Sequence, residues 1–500
     1  MSRHVVVVGY GMVGARFAEE LRRREPDAGL LRVTVLGAET HPAYNRVLLS
    51  AVLAGGLDLD AVRLHDADWA VRHDVDVHTG SRVVGVDTAR HEVRTEDGST
   101  VDYGELVLAT GAAAWIPPVD GLTTPDGRLG DRVAVFRDLD DCARIIGLAT
   151  PGSRVAVLGG GLLGLEAARG LANRGLRVDV LHPVDHLMER QLDAGAGRVL
   201  ASTLEHLGIT VRLGVLVKRW SEDGGLELDD GSTVDADAVV VSAGVRPETS
   251  LADAAGIAVR RGIVVDDRLT TSDPSVHAIG DCAQHPGTPA GLVQSGWEQA
   301  AVLADVLTGA NPAALYRGTP TVTRLKARGI DLAALGEVHA EDGYAEGDPE
   351  TGTEILQLSD RTRGRYAKLV LVGDRVIGAI LLGTPDAAAT IIQLFDTGSP
   401  APSDRLALLL GRAMPDAAVP TESPAQLPAR TVVCRCNTVT KKALTAAWRD
   451  GARDVAALAR STRAGTGCGS CVDTVRGICE WLGEGDPEPP VDTELQEGVA

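Results

Sequence analysis

Twice in this chain an apolar strand runs into a glycine-spaced turn and then into an amphipathic helix, and this repeat limits the fold more than any other feature. The first copy is Val5–Val8, then Gly9-Tyr10-Gly11-Met12-Val13-Gly14, then a helix through Phe17 and Leu21. The second is Val155–Leu158, then Gly159-Gly160-Gly161-Leu162-Leu163-Gly164, then a helix through Ala168 and Leu171. Such units predict parallel α/β sheets. The first glycine permits the tight turn and the second lets backbone approach a pyrophosphate. The third allows close helix–strand packing, and the helix N-terminus stabilises phosphate charge. A lone glycine turn is weak evidence, but each copy here has the strand before it and the helix after it that the reading requires. We therefore read two Rossmann-like dinucleotide-binding domains, and a chain of 500 residues has room for further ones.

The expected order is a first dinucleotide domain at 1–146, a second at 147–265, and a return to the first at 266–312 around Val276-His277-Ala278-Ile279-Gly280-Asp281. Residues 313–412 read as an α+β domain, with strands at Lys368–Val372 and Val376–Leu382. Residues 413–430 are rich in Pro and Ala without apolar periodicity, as in a semi-rigid linker. A cysteine module at 431–483 and a disordered acidic tail at 484–500 complete the layout.

The net charge of −20 excludes a nucleic-acid partner, whose phosphates require a basic surface. No stretch approaches the ~18 apolar residues of a membrane span, and no signal peptide precedes Val5. A cytoplasmic protein is expected, and its seven cysteines are then not structural disulfides. Cys142 and Cys282 are expected to be small buried residues, and Cys479 a helix-core cysteine.

The cysteine module has the spacing Cys434-x-Cys436, thirty-one residues, then Cys468-x-x-Cys471. Four thiolates suit [2Fe-2S] or zinc. Glycines around Cys468 favour the cluster, because backbone N–H groups can approach sulfur. Helices starting near Lys441 and just after Cys471 would point positive ends at an anionic group. The one-residue gap at Cys434–Cys436 counts against zinc, which usually takes wider spacing.

Nucleotide assignment also has a sequence basis. Glu39 follows the strand Val33–Leu36 and is suitably placed for a ribose hydroxyl. The strand Val178–Leu181 is instead followed by His182-Pro183, with no acid. That leaves NADPH open, and His182, His186 and Arg190 would favour it; His182 as a plain loop residue is the equal alternative.

A family resemblance rests on Gly9–Gly14, Tyr44-Asn45-Arg46, Ala109-Thr110-Gly111, Trp115-Ile116-Pro117-Pro118, Gly159–Ala168, Met188–Asp193, Gly244-Val245-Arg246-Pro247, Ser272–Ala283 and Gly465–Cys471. In this order the chain resembles two-dinucleotide flavoprotein reductases of glutathione-reductase type. Within them it is most similar to the flavoprotein half of assimilatory nitrite reductase and the electron-transfer subunit of assimilatory nitrate reductase. The resemblance implies FAD at Gly9, Gly11, Met12, Val13 and Gly14, with Arg46 on its phosphates, Thr110 and Gly111 closing the site, and Gly280 and Asp281 at the ribityl chain. It implies NAD(P)H at Gly159, Gly161, Leu162, Leu163 and Gly164, with Glu166 beside the nicotinamide and Gly244 closing the site. It also implies a [2Fe-2S] domain of bacterioferritin-associated-ferredoxin type on Cys434, Cys436, Cys468 and Cys471.

Two departures stand out: relatives carry acids at the positions of Ala38 and Asn45. No paired-cysteine motif accompanies the flavin, so disulfide reduction is not expected. The implied route is NAD(P)H to FAD to [2Fe-2S] to the catalytic subunit of assimilatory nitrate or nitrite reductase, or to a small electron carrier. The chain holds no cysteines for the further cluster of full-length nitrite reductase, so the reducing centre is expected on that partner. Rival readings are a general NAD(P)H:ferredoxin or rubredoxin reductase and, from another class, an iron–sulfur carrier or iron sensor. The intact second fingerprint argues against the carrier. A homodimer is left open.

Overall fold

The computed structural model describes residues 3–25, 29–223, 225–286, 291–325, 327, 329–341, 352–411, 427–429, 431–434, 437, 439–465 and 471–485. The chain divides into two compact units, 1–417 and 418–500. The expected linker lies mostly outside the described residues, as does the tail from residue 486.

The first unit is built on two parallel five-stranded sheets. One runs Val276–Ala278, Glu105–Leu108, Arg3–Val8, Leu31–Leu36, Val75–His78. The other runs Ile209–Leu213, Arg177–His182, Arg154–Leu158, Ala238–Val241, Val133–Val135. The central strands are almost continuous in Val and Leu because both of their faces are buried. Val276–Ala278 lies in the first sheet, so the chain returns there as expected. Val133–Val135 lies in the second sheet although it precedes the expected boundary, which falls inside the helix Leu139–Leu148. The chain thus enters the second domain earlier than composition suggests. A short antiparallel pair, Ala112–Ala114 with Val245–Pro247, carries the two crossings between the sheets.

Residues 322–382 of this unit contribute a five-stranded antiparallel sheet, ordered Val322–Arg324, Leu332–Gly336, Arg375–Leu382, Arg365–Val372, Thr353–Asp360. Alternation along its strands gives each face its own core. Ala367, Leu369, Leu371 and Leu381 pack with Ile391 of the helix Pro385–Thr397. Tyr366, Ile380 and Leu382 join Val199, Leu200 and Leu204 of the second nucleotide domain. Where that second face meets the helix Ala194–His206, the fully buried Tyr366 donates to Asp193 Oδ2 at 2.6 Å. Asp193 also caps this helix by accepting from the Ala196 N–H at 2.8 Å. Lys368 Nζ stands 3.5 Å from the same carboxylate and donates to the Val338 and Ala340 carbonyls.

The second unit is a hairpin, Val432–Cys434 with Val439–Thr440, and three helices, Lys441–Arg449, Val455–Thr462 and Val472–Glu484. Thr440 and Asp454 cap the first two by accepting from N–H groups three residues on. Leu444, Trp448, Leu458, Val475, Ile478 and Leu482 fill its core. No described helix is long and apolar enough to cross a membrane.

The Asp193 junction can be tested by graded loss. Tyr366→Phe leaves the carboxylate its lysine, so we expect a cost of about 1–2 kcal/mol. Asp193→Ala strands a buried ammonium and a helix end, so we expect at least ~3 kcal/mol. Urea denaturation followed by circular dichroism checks both; equal midpoints for the two variants would contradict this junction.

Candidate functional site

Each glycine turn ends a central strand of a parallel sheet and opens a helix, and the two are near-copies in atomic detail. Gly9 and Gly159 have φ of +116° and +123°, and a Cβ on either would lie 2.2 Å from the carbonyl oxygen of Ala109 or Ser242. A Cβ on Gly14 or Gly164 would lie 1.9 or 2.1 Å from the oxygen of Gly9 or Gly159. These four positions admit only hydrogen. By contrast, nothing lies within 4 Å of a Cβ on Gly11 or Gly161. The open space there sits at the N-termini of the helices Met12–Arg24 and Leu162–Asn173, which is where a pyrophosphate needs room and N–H donors. Both turns fit a dinucleotide.

Charged side chains gather beside the first turn. Glu39 Oε2 accepts from the Tyr44 hydroxyl at 2.7 Å, and its other oxygen pairs with Arg46. Asn45 caps the short 3-10 turn Arg46–Leu48 by accepting from the Val47 N–H at 3.0 Å. The departure at this position therefore has a local structural role. Arg46 Nη1 donates to the Arg137 carbonyl at 3.3 Å, and Arg137 Nη2 donates to Asp281 Oδ2 at 2.7 Å. Asp281 Oδ1 accepts from the Gly291 N–H, and the Gly280 N–H donates to Gln299 Oε1 at 2.7 Å. Below this chain, burial and then the Asp138 charge raise the Asp141 carboxyl to about 6, against backbone N–H bonds from Asp138 and Arg137.

Thr110 and Gly111 sit on the crossing between the sheets. Thr110 Oγ1 donates to the Glu248 carbonyl at 2.8 Å, and the Glu248 N–H donates back to the Gly111 carbonyl at 2.9 Å. Gly244 accepts from the Trp115 N–H at 2.9 Å and has open space where a Cβ would stand. Glu166 is buried and so is not a surface carboxylate.

In the second unit Cys434 and Cys471 are both buried, while Cys436 and Cys468 lie outside the described residues. The Cys434 thiol is lowered to about 6, first by a hydrogen bond from Cys471, then, against burial, by backbone N–H groups of Gly465 and Asn437 and by the Asn437 amide. Asn437 Nδ2 stands 3.6 Å from Cys434 Sγ and donates to the Arg463 carbonyl at 2.6 Å. Helices begin at Lys441 and, with Cys471 as its N-cap, at Val472. Two buried cysteines, with the Cys434 thiol pushed toward its anion among N–H donors, fit a [2Fe-2S] cluster.

Residues 3–302 match the family described as pyridine nucleotide-disulphide oxidoreductase. The chain belongs to that family. Residues 432–481 match the BFD-like [2Fe-2S] binding domain, and 321–398 the rubredoxin NAD+ reductase C-terminal domain. The chain is 34% identical over 483 residues to a nitrite reductase [NAD(P)H] of Bacillus subtilis, covering 96% of this chain and 58% of that protein. It is 33% identical over 499 residues to the assimilatory nitrate reductase electron transfer subunit of the same organism, covering 98% and 61%. It thus spans about three-fifths of the length of these relatives. Among solved structures it resembles the ferredoxin reductase of the CYP199A2 system from Rhodopseudomonas palustris, with a TM-score of 0.70 at 25% identity, covering 80% of this chain and 96% of that one. The family match and the BFD-like [2Fe-2S] binding domain thus lie on one chain.

The family's disulfide chemistry finds no footing among the described residues. Cys142 and Cys282 are both buried and unpaired, and burial raises the first thiol to about 12 and the second also upward. Cys479 is half-buried in its helix, as expected.

Of the two readings left open for His182, the structural one has a local basis: its ring is buried beneath the second turn, where Nδ1 accepts from the Gly160 N–H at 3.1 Å. His186 is turned to Asp185 at 2.7 Å, which leaves only exposed Arg190 of the three. Three residues escaped the sequence reading. Arg137 and Asn437 bear no local motif beyond an adjacent helix cap or cysteine. His65, lowered to about 4 by burial, bridges Tyr10 of the first turn at 3.0 Å to Glu19 and stacks on Trp69 at 3.8 Å.

Arg137→Ala should release the Asp281 carboxylate and weaken FAD retention at least tenfold, read from flavin fluorescence on dilution. Unchanged retention would mean that Arg137 serves only the fold.

Proposed function

We propose that this chain is the electron-donating subunit of an assimilatory nitrate or nitrite reductase, working in the cytoplasm. The observation that carries the reading is the presence of two open dinucleotide turns in one unit and a buried cysteine pair, Cys434 pushed toward its thiolate, in the other. The five described cysteines are free, which suits a reducing compartment.

Bound FAD supplies the step the protein cannot, accepting two electrons as hydride and passing them on singly. The chain's own task is placement. Gly11 with the helix behind it, Glu39, Arg46 and Arg137 with Asp281 hold the first nucleotide; Gly161, Glu166 and Gly244 hold the second. Cys434, Cys436, Cys468 and Cys471 ligate the cluster, and Asn437 orients Cys434. No general base is required of any side chain. The electrons leave through the cluster domain to a separate catalytic subunit, as the name of the second Bacillus subtilis relative suggests. A rubredoxin or ferredoxin reductase is the second reading, favoured by the match at 321–398.

Purified protein should carry one FAD with two irons and two acid-labile sulfides. With NAD(P)H it should reduce ferricyanide, and it should support nitrate reduction only when a nitrate reductase catalytic subunit is added. Cys468→Ser should lose the iron and the partner-coupled activity and loosen the cysteine unit, while FAD and ferricyanide reduction are kept. Stoichiometric zinc, or full coupling in that variant, would refute the route. Gly161→Val places its side chain in open space at a permitted φ of −81°, so it should fold and keep FAD while losing flavin reduction by either nucleotide.

A further inference from the structure

The end of the strand Arg177–His182 carries no acid of its own, yet the fold delivers one. Leu187 and Met188 are fully buried, and the Met188 N–H donates to the Gly160 carbonyl at 3.0 Å. That bond fixes the backbone against the glycine turn one residue before Glu189. The turn admits nothing else there, since a Cβ on Gly160 would lie 2.5 Å from Leu187 Cδ2 and 2.8 Å from His182 Cγ.

His182 completes the arrangement. Because Nδ1 accepts from the Gly160 N–H, the hydrogen-bond network assigns the ring's proton to Nε2. That proton is donated to Glu189 Oε2 at 3.1 Å. His182 therefore has no donor left for a phosphate. The Glu189 carboxyl is one-third exposed, and the His182 hydrogen bond, against burial, holds it below the usual carboxylate range. Asp185 and His186 pair with each other, and Arg190 is exposed, without an ion pair among the described residues. The anion beside the strand end is Glu189.

We propose that Glu189, oriented by His182, is the specificity-determining residue that makes this enzyme prefer NADH to NADPH. An adenosine ribose lies between such a strand end and the first helix of the domain. There a carboxylate accepts hydrogen bonds from ribose hydroxyls and repels a 2′-phosphate. This rests on the assignment of NAD(P)H to the second turn.

Steady-state ferricyanide reduction with NADH and with NADPH tests it in the full chain. Wild-type kcat/KM should favour NADH at least tenfold. Glu189→Gln should raise kcat/KM for NADPH about tenfold, equivalent to ~1.4 kcal/mol, and lower it severalfold for NADH, because an amide oxygen accepts the ribose hydroxyls more weakly than a carboxylate. Glu189→Ala, which gives up the bond to His182 and the ribose acceptor, should shift the NADPH-to-NADH ratio in the same direction, with a larger loss for NADH, if Glu189→Gln folds poorly. A folding defect lowers both nucleotides together, so the ratio reports specificity alone. A wild-type preference for NADPH, an unchanged ratio in both variants, or a tenfold loss of NADPH activity in Arg190→Ala overturns the inference. Gly161→Val separates this from the underlying assignment. If it abolishes reduction by both nucleotides, a null result counts against Glu189 alone; if it spares both, the site itself is misassigned.

Discussion

Everything at the working ends of the two parallel sheets depends on a contact that only hydrogen can make. In each turn the third glycine lies against the carbonyl of the first, where a Cβ would stand 1.9 or 2.1 Å from oxygen. The helix is thereby drawn over the strand end, and its first N–H groups face the space above Gly11 or Gly161. A side chain at Gly14 or Gly164 would lift the helix, and the opening, the helix dipole and the buried apolar stripe would move together. The Val-rich strands stabilise the sheets by burial, but burial alone does not fix where a helix begins. The glycine contact does, and it does so twice with nearly the same atoms.

The first site adds an ordered line of charge from Glu39 through Arg46 and the Arg137 backbone to Asp281. Exposed ion pairs contribute little, and this chain has many of them. The line here is different, because its members are partly buried and three of the four also bond to backbone: Arg46 to Arg137, Arg137 to Ala112 and Asp281 to Gly291. Such bonds orient side chains at the cost of their freedom, a useful exchange where a ligand must be met in one geometry. The elements tied together include the Ala112–Ala114 crossing, so the line also couples the first site to the route into the second domain.

Much of this was legible in the sequence. Both turns, the return of Val276–Ala278 to the first sheet, the buried Cys142 and Cys282 and the helix starts at Lys441 and Val472 follow from local patterns of glycine, apolar runs and spacing. What escaped depends on distance in the chain. Arg137 reaches Asp281 across 144 residues, and His65 reaches Tyr10 across 55. No window of sequence contains both partners of either pair. The sheet that Val133–Val135 joins is likewise not legible locally: strand membership is decided by its partner Ala238–Val241, not by its own composition. His182 stays open in the sequence because a ring at a strand end has two directions available, and the choice is made by the Gly160 N–H.

The cysteine unit shows the opposite balance, with much local order and little core. Its buried apolar set is a handful of side chains around Leu444, Leu458 and Ile478, and domains of only ~50 residues bury too little surface to be secure without a covalent or metal staple. Two of its buried residues are thiols, one of them pushed toward its anion. A buried thiolate without a counter-charge is costly. Asn437 and the backbone at Gly465 meet part of that cost with hydrogen bonds. Metal ligation would meet the rest, so that ligand geometry and folding stability become one quantity. The site is then not an addition to a finished domain but the interaction that completes its core.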